Sequence, residues 1–99
     1  MSNLYIDKQQ KFFDSVENQY KQKLILYPPI HTLFEINAII QRLRELNTRE
    51  DVIDFGAGNG RLTIPLLQNK FSVLAVDVSN KSLRKIRGLA KRLKLKDLK

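Results

Sequence analysis

The residues best suited to chemistry form one short stretch, Asp54-Phe55-Gly56-Ala57-Gly58-Asn59-Gly60, with an acid, Asp77, following 17 residues after Gly60. Three glycines at a spacing of two let a chain turn sharply, let a ligand approach the backbone closely, and leave amides free to face polar ligand atoms. Glycine spacing decides which ligand. A dinucleotide fingerprint, Gly-x-Gly-x-x-Gly, needs glycine where this chain has Arg61, and a phosphate loop needs Gly-Lys-Ser/Thr where it has Gly60-Arg61-Leu62. Both are excluded. A carboxylate at the end of the next strand accepts both hydroxyls of a ribose, so Asp77 implies a ligand with a free ribose. For Asp54 the alternative to a ligand role is anchoring the loop by accepting backbone amides.

These residues need elements to position them. Val52-Ile53-Asp54-Phe55 is short, β-branched and runs straight into Gly56, which reads as a buried strand. Leu62, Leu66 and Leu67 suggest a short helix with Pro65 in its first turns. Phe71-Ser72-Val73-Leu74-Ala75-Val76-Asp77 is a nearly continuous apolar run ending in the acid, the pattern of a strand buried on both faces. Ser79 then offers an N-cap, and Leu83, Ile86, Leu89, Ala90 and Leu93 place an apolar stripe on a last helix.

Ahead of the loop, Pro28-Pro29 is the one conspicuous break in the chain. Residues 8–24 carry Phe12, Phe13, Val16, Tyr20 and Leu24 at helical spacing. After the prolines, Thr32-Leu33-Phe34-Glu35 has the spacing of a capping box, and Leu33, Ile36, Ile39, Ile40, Leu43 and Leu46 form a helical stripe. His31 lies beside that cap and is assigned no chemistry. The expected order is helix, helix, strand, helix, strand, helix. This is the N-terminal part of a doubly wound, Rossmann-like α/β fold, a three-layer αβα arrangement cut short after its second strand. Two strands make a very small parallel sheet, so self-association through its unfinished edges is expected.

The 99 residues hold no cysteine and one histidine, so disulfides, thiolate metal sites, a cysteine nucleophile and paired-histidine metal sites are excluded. The longest stretch without charge, Leu24 to Phe34, is broken by the two prolines and falls short of the ~20 apolar residues that cross a bilayer. The N-terminus lacks the apolar core of a signal peptide, so a cytoplasmic location is expected. Residues 1–80 carry nine basic and nine acidic side chains, whereas residues 81–99 carry nine basic groups against Asp97 alone. The whole net charge of +8 therefore lies in the last nineteen residues. Such a tail suits a polyanion, but no aromatic residue follows Phe71 for bases to stack on, so a nucleic-acid partner is not favoured.

The stretch from Val52 to Leu62 resembles motif I of the class I S-adenosylmethionine-dependent methyltransferases, and Val76-Asp77-Val78-Ser79 resembles their acidic second motif. The resemblance covers residues 51–83. It implies S-adenosylmethionine as cofactor, with Gly56, Ala57, Gly58, Asn59 and Gly60 bordering its methionine end. It further implies Asp54 orienting the loop and the cofactor's amino group, Asp77 holding the ribose, and Val78 lying beside the adenine. Family members commonly have Thr or Ser where Asn59 stands and often Gly where Ala75 stands. On this resemblance residues 1–29 form a cap helix and linker, and residues 30–99 form part of the cofactor-binding domain. The function implied is methyl transfer to an unidentified acceptor, a small molecule being favoured. The catalytic segment of the family lies beyond this chain, so no catalytic residue is named. The alternative is a degenerate binding module that uses the basic last helix for nucleic acid or a protein partner.

Overall fold

A computed structural model describes residues 23–47 and 50–99. Most of the amphipathic segment expected over residues 8–24 lies outside them. Residues 23–26 are helical, and Pro28 and Pro29 break the chain before helix α1, Ile30–Leu46. The helix starts three residues earlier than a capping box at Thr32 would allow, and no side chain caps it. The physical reason is Pro29. Its ring fixes φ at −56°, and its carbonyl accepts the first helical hydrogen bond, from the Leu33 amide at 2.9 Å. Thr32 is thereby drawn into the first turn and buried with Ile36 and Ile40. The buried stripe of α1 is narrower than the sequence pattern suggested, since Leu33, Ile39 and Leu46 are exposed.

Strand β1, Val52–Phe55, pairs in parallel with β2, Val73–Val76, in the register Val52 with Val73 through Phe55 with Val76. Between them lies the short helix α2, Thr63–Gln68, with Pro65 in its first turn, where its missing amide costs nothing. Residues 63–67 are all buried. The helix ends in a turn closed by the Lys70 amide on the Leu67 carbonyl and the Phe71 amide on the Leu66 carbonyl. Arg44 reaches from α1 to donate to the Asn69 side chain at 2.9 Å, fixing α1 against this end of α2.

Helix α3, Asn80–Arg92, is capped as expected, with the Ser79 hydroxyl accepting from the Ser82 amide at 3.1 Å. Its residues Ile86, Leu89 and Ala90 join Ile64, Leu66, Leu67 and Val73 in the core, to which Ile25, Ile36 and Ile40 belong as well.

Two features depart from the sequence reading. First, a third line of pairing exists. The Val73 amide donates to the Asp97 carbonyl at 2.9 Å and the Lys99 amide to the Val73 carbonyl at 2.8 Å, with a parallel bridge between Val73 and Leu98. Strand β2 is thus paired on both sides, on the second by a single bridge from residues 97–99. Three residues are too few to show a strand period, so the pattern ended at the last helix. Second, β1 is not a wholly buried strand, and β2 is not buried on both faces. Val52, Asp54, Val73 and Ala75 point toward the helices, whereas Ile53, Leu74 and above all Phe55, 76 % exposed, lie on the opposite face. The helices among the described residues pack on one side of the sheet. Among the described residues no helix is long and apolar enough to cross a membrane.

Candidate functional site

The glycine loop leaves the C-terminal end of β1 and enters α2. Its three glycines all take positive φ, 71° at Gly56, 57° at Gly58 and 92° at Gly60. A side chain would be strained at each, but their surroundings differ. A Cβ on Gly56 would meet no atom within 4 Å, and one on Gly58 only the Gly56 carbonyl oxygen at 3.8 Å. These two positions leave the backbone open to a close approach. At Gly60 a Cβ would meet Ile64 Cγ1 at 3.1 Å and Ile86 Cγ1 at 3.2 Å, so this buried glycine lets α2 and α3 pack against the loop.

The loop is held to β2 by its own amides. The Val76 carbonyl accepts from Gly56 at 2.8 Å and from Ala57 at 3.0 Å, and the Ala57 carbonyl accepts from Gly60 at 3.0 Å. Ala57 is buried beneath the turn, while Asn59 is exposed at its tip.

Asp54 points inward from β1 and is 8 % exposed. Its Oδ2 accepts a hydrogen bond of 2.5 Å from the Thr63 hydroxyl, which is fully buried. Thr63 is the one residue of this arrangement absent from the sequence reading. Its signal was a hydroxyl at the start of the helix after a glycine loop, three residues beyond Gly60. The pair ties the end of β1 to the first turn of α2 across the loop, which gives Asp54 an anchoring role.

Asp77 follows β2 and faces the loop. Its Oδ2 accepts from the Gly58 amide and its Oδ1 from the Ser79 amide, each at 2.8 Å. The Ser79 amide first, and the Gly58 amide second, hold its carboxyl below the ordinary carboxylate range. The group is therefore ionised and acts only as an acceptor. A carboxylate offers about four acceptor positions, and two amides leave about two for an incoming diol. Val78, next in sequence, is fully exposed, an apolar side chain at the rim of the loop. The structure thus brings Asp54, Gly56, Ala57, Gly58, Asn59, Gly60, Asp77 and Val78 to the carboxyl end of the two strands, where open α/β sheets place their ligands.

Two residues lie apart from this chemistry. His31 is exposed in the first turn of α1. Arg61, which interrupts the dinucleotide pattern, reaches Glu35 of α1 at 3.5 Å in a pair exposed on both sides, a contact of small energetic weight.

No protein-family model and no curated protein matches the chain. Among solved structures it is similar to the crystal structure of an S-adenosylmethionine-dependent methyltransferase from Clostridium acetobutylicum ATCC 824. The TM-score is 0.57 and the sequence identity 27 %, over 88 % of this chain and 35 % of that one. The chain spans about a third of the length of this neighbour. The chain is a mixed α/β protein whose parallel strands and helices match part of a Rossmann-like methyltransferase fold.

Proposed function

We propose that this chain is the S-adenosylmethionine-binding part of a methyltransferase, with residues 30–99 contributing the cofactor site and residues 1–29 a cap and linker. The observation that carries the reading is the pairing of an open glycine backbone at Gly56 and Gly58 with an ionised Asp77 hydrogen-bonded to that same loop. The chemistry of the donor set suits the cofactor. A ribose presents two hydroxyl donors, and Asp77 presents an acceptor-only group with capacity for both. The bare backbone at Gly56 and Gly58 admits a bulky ligand that a Cβ would obstruct. Val78 adds an exposed apolar surface on which an adenine can rest.

When bound, S-adenosylmethionine supplies an electrophilic methyl group on a sulfonium. The chain's own contribution is positional. Asp77 fixes the ribose end, the loop from Gly56 to Gly60 fixes the methionine end, and the buried Thr63–Asp54 bond keeps that loop in register with β1. Holding the sulfonium in a fixed orientation is the larger part of what methyl transfer asks of a protein.

Calorimetric titration of S-adenosylhomocysteine into the purified chain tests the reading, with Asp77→Ala as control. Saturable binding that the substitution abolishes is expected. A folded chain that takes up no ligand, or binds it equally well without the carboxylate, contradicts it.

A further inference from the structure

We propose that the exposed face of α3 binds the phosphate backbone of double-stranded nucleic acid. Helix α3 carries six basic side chains and no acid. Its apolar residues Ile86, Leu89 and Ala90 are buried, which turns Lys81, Arg84, Arg87, Lys91 and Arg92 outward. Of these, Lys81, Arg84, Arg87 and Lys91 form no ion pair among the described residues. Lys94 and Lys96, just past the helix, are exposed too. The charge is thus gathered on one solvent face rather than spread among partners.

In the middle of that face stands Gly88. It is exposed, its φ is not positive, and a Cβ there would meet nothing within 4 Å. Neither conformation nor packing calls for glycine, and glycine is the poorest helix former after proline. What it provides is a bare strip of backbone flanked by Arg84 one turn before and Lys91 and Arg92 one turn after. A basic surface with such an opening at its middle admits a phosphate chain between the cations.

The occupant follows from charge complementarity and from what the face lacks. From Lys81 to Arg92 the helix rises about 16 Å, which matches about five base pairs of rise along a duplex axis. A membrane surface is disfavoured because the apolar side of the helix is committed to the core and offers nothing to insert. Single strands are disfavoured because no aromatic side chain follows Phe71 to stack on unpaired bases. The proposal goes beyond the cofactor reading and stands without it, since it concerns α3 alone.

Fluorescence anisotropy with a short labelled DNA duplex, titrated with the 99-residue chain in the absence of cofactor, tests it. Affinity should fall steeply with salt. In the double variant Arg84→Gln, Lys91→Gln it should drop roughly tenfold or more at low salt, with a log–log salt slope shallower by about two, close to 0.9 per lost phosphate contact. Gly88→Gln should separate binding from folding. It should raise the Tm, as a better helix former, yet weaken duplex binding by crowding the strip. Parent-like binding by Gly88→Gln, or an unchanged salt slope in the folded double variant, overturns the proposal. So does equal or tighter binding of the matching single strand, of poly-glutamate, or of phosphatidylserine vesicles.

Discussion

The carboxylate of Asp77 accepts the amide hydrogen of Gly58 at 2.8 Å, joining the end of β2 to the turn after β1 across 19 residues of chain. Sheet pairing brings the two strand ends side by side, and this bond decides how the loop lies across them. One group therefore both shapes the loop and faces what the loop would hold.

Acid should loosen this junction. The folded-state pKa of Asp77 lies below that of an unfolded aspartate, about 3.9, because the Ser79 and Gly58 amides favour the ionised form. Its stabilising contribution is then complete above that value and is lost as pH falls through the lower folded value. Asp51, lowered chiefly by its hydrogen bond to Lys99, acts in the same direction. Thermal melts at decreasing pH should show Tm falling below about pH 4, and Asp77→Asn should flatten that fall. A Tm profile identical in the variant would remove Asp77 from the account.

The glycines should separate by role. Gly60→Ala combines a strained positive φ with contacts to Ile64 and Ile86, and is expected to cost about 2–4 kcal/mol in urea denaturation. Gly56→Ala meets open space and carries only the conformational term, about 1–2 kcal/mol. The ligand ranking should be the reverse among folded variants, with Gly56→Ala the more damaging to S-adenosylhomocysteine binding. Equal stability losses at the two positions would mean that the packing around Gly60 is looser than described.

Thr63→Val preserves shape but removes the hydroxyl that satisfies buried Asp54. A loss of about 1–3 kcal/mol is expected from the orphaned acceptor, with Thr63→Ser recovering most of it. If the valine variant is as stable as the parent in urea, the bond does not hold the loop.

Much of this was readable in the sequence because periodicity and glycine placement are local signals. The β-branched run before Gly56, the apolar run ending at Asp77 and the cap at Ser79 each declare an element within a few residues. What the sequence hid depends on distant partners. Thr63 gains its meaning only when α2 folds back over β1, and Leu98 pairs with Val73 without any pattern of its own. The start of α1 was misplaced because a capping box and a proline compete within a few residues, and the fixed φ of Pro29 prevails. Apolar runs suggested strands covered on both faces, yet hydrophobicity alone does not say which elements cover them, and Phe55 is exposed.

Whether the glycine loop and Asp77 together bind the cofactor is decided by residue-resolved NMR titration of the chain with S-adenosylhomocysteine. Saturable amide shifts concentrated at Gly56, Ala57, Gly58 and Val78, absent in Asp77→Ala, are expected. A well-dispersed spectrum in which those amides do not move, or in which the shifts cluster elsewhere, would contradict that binding.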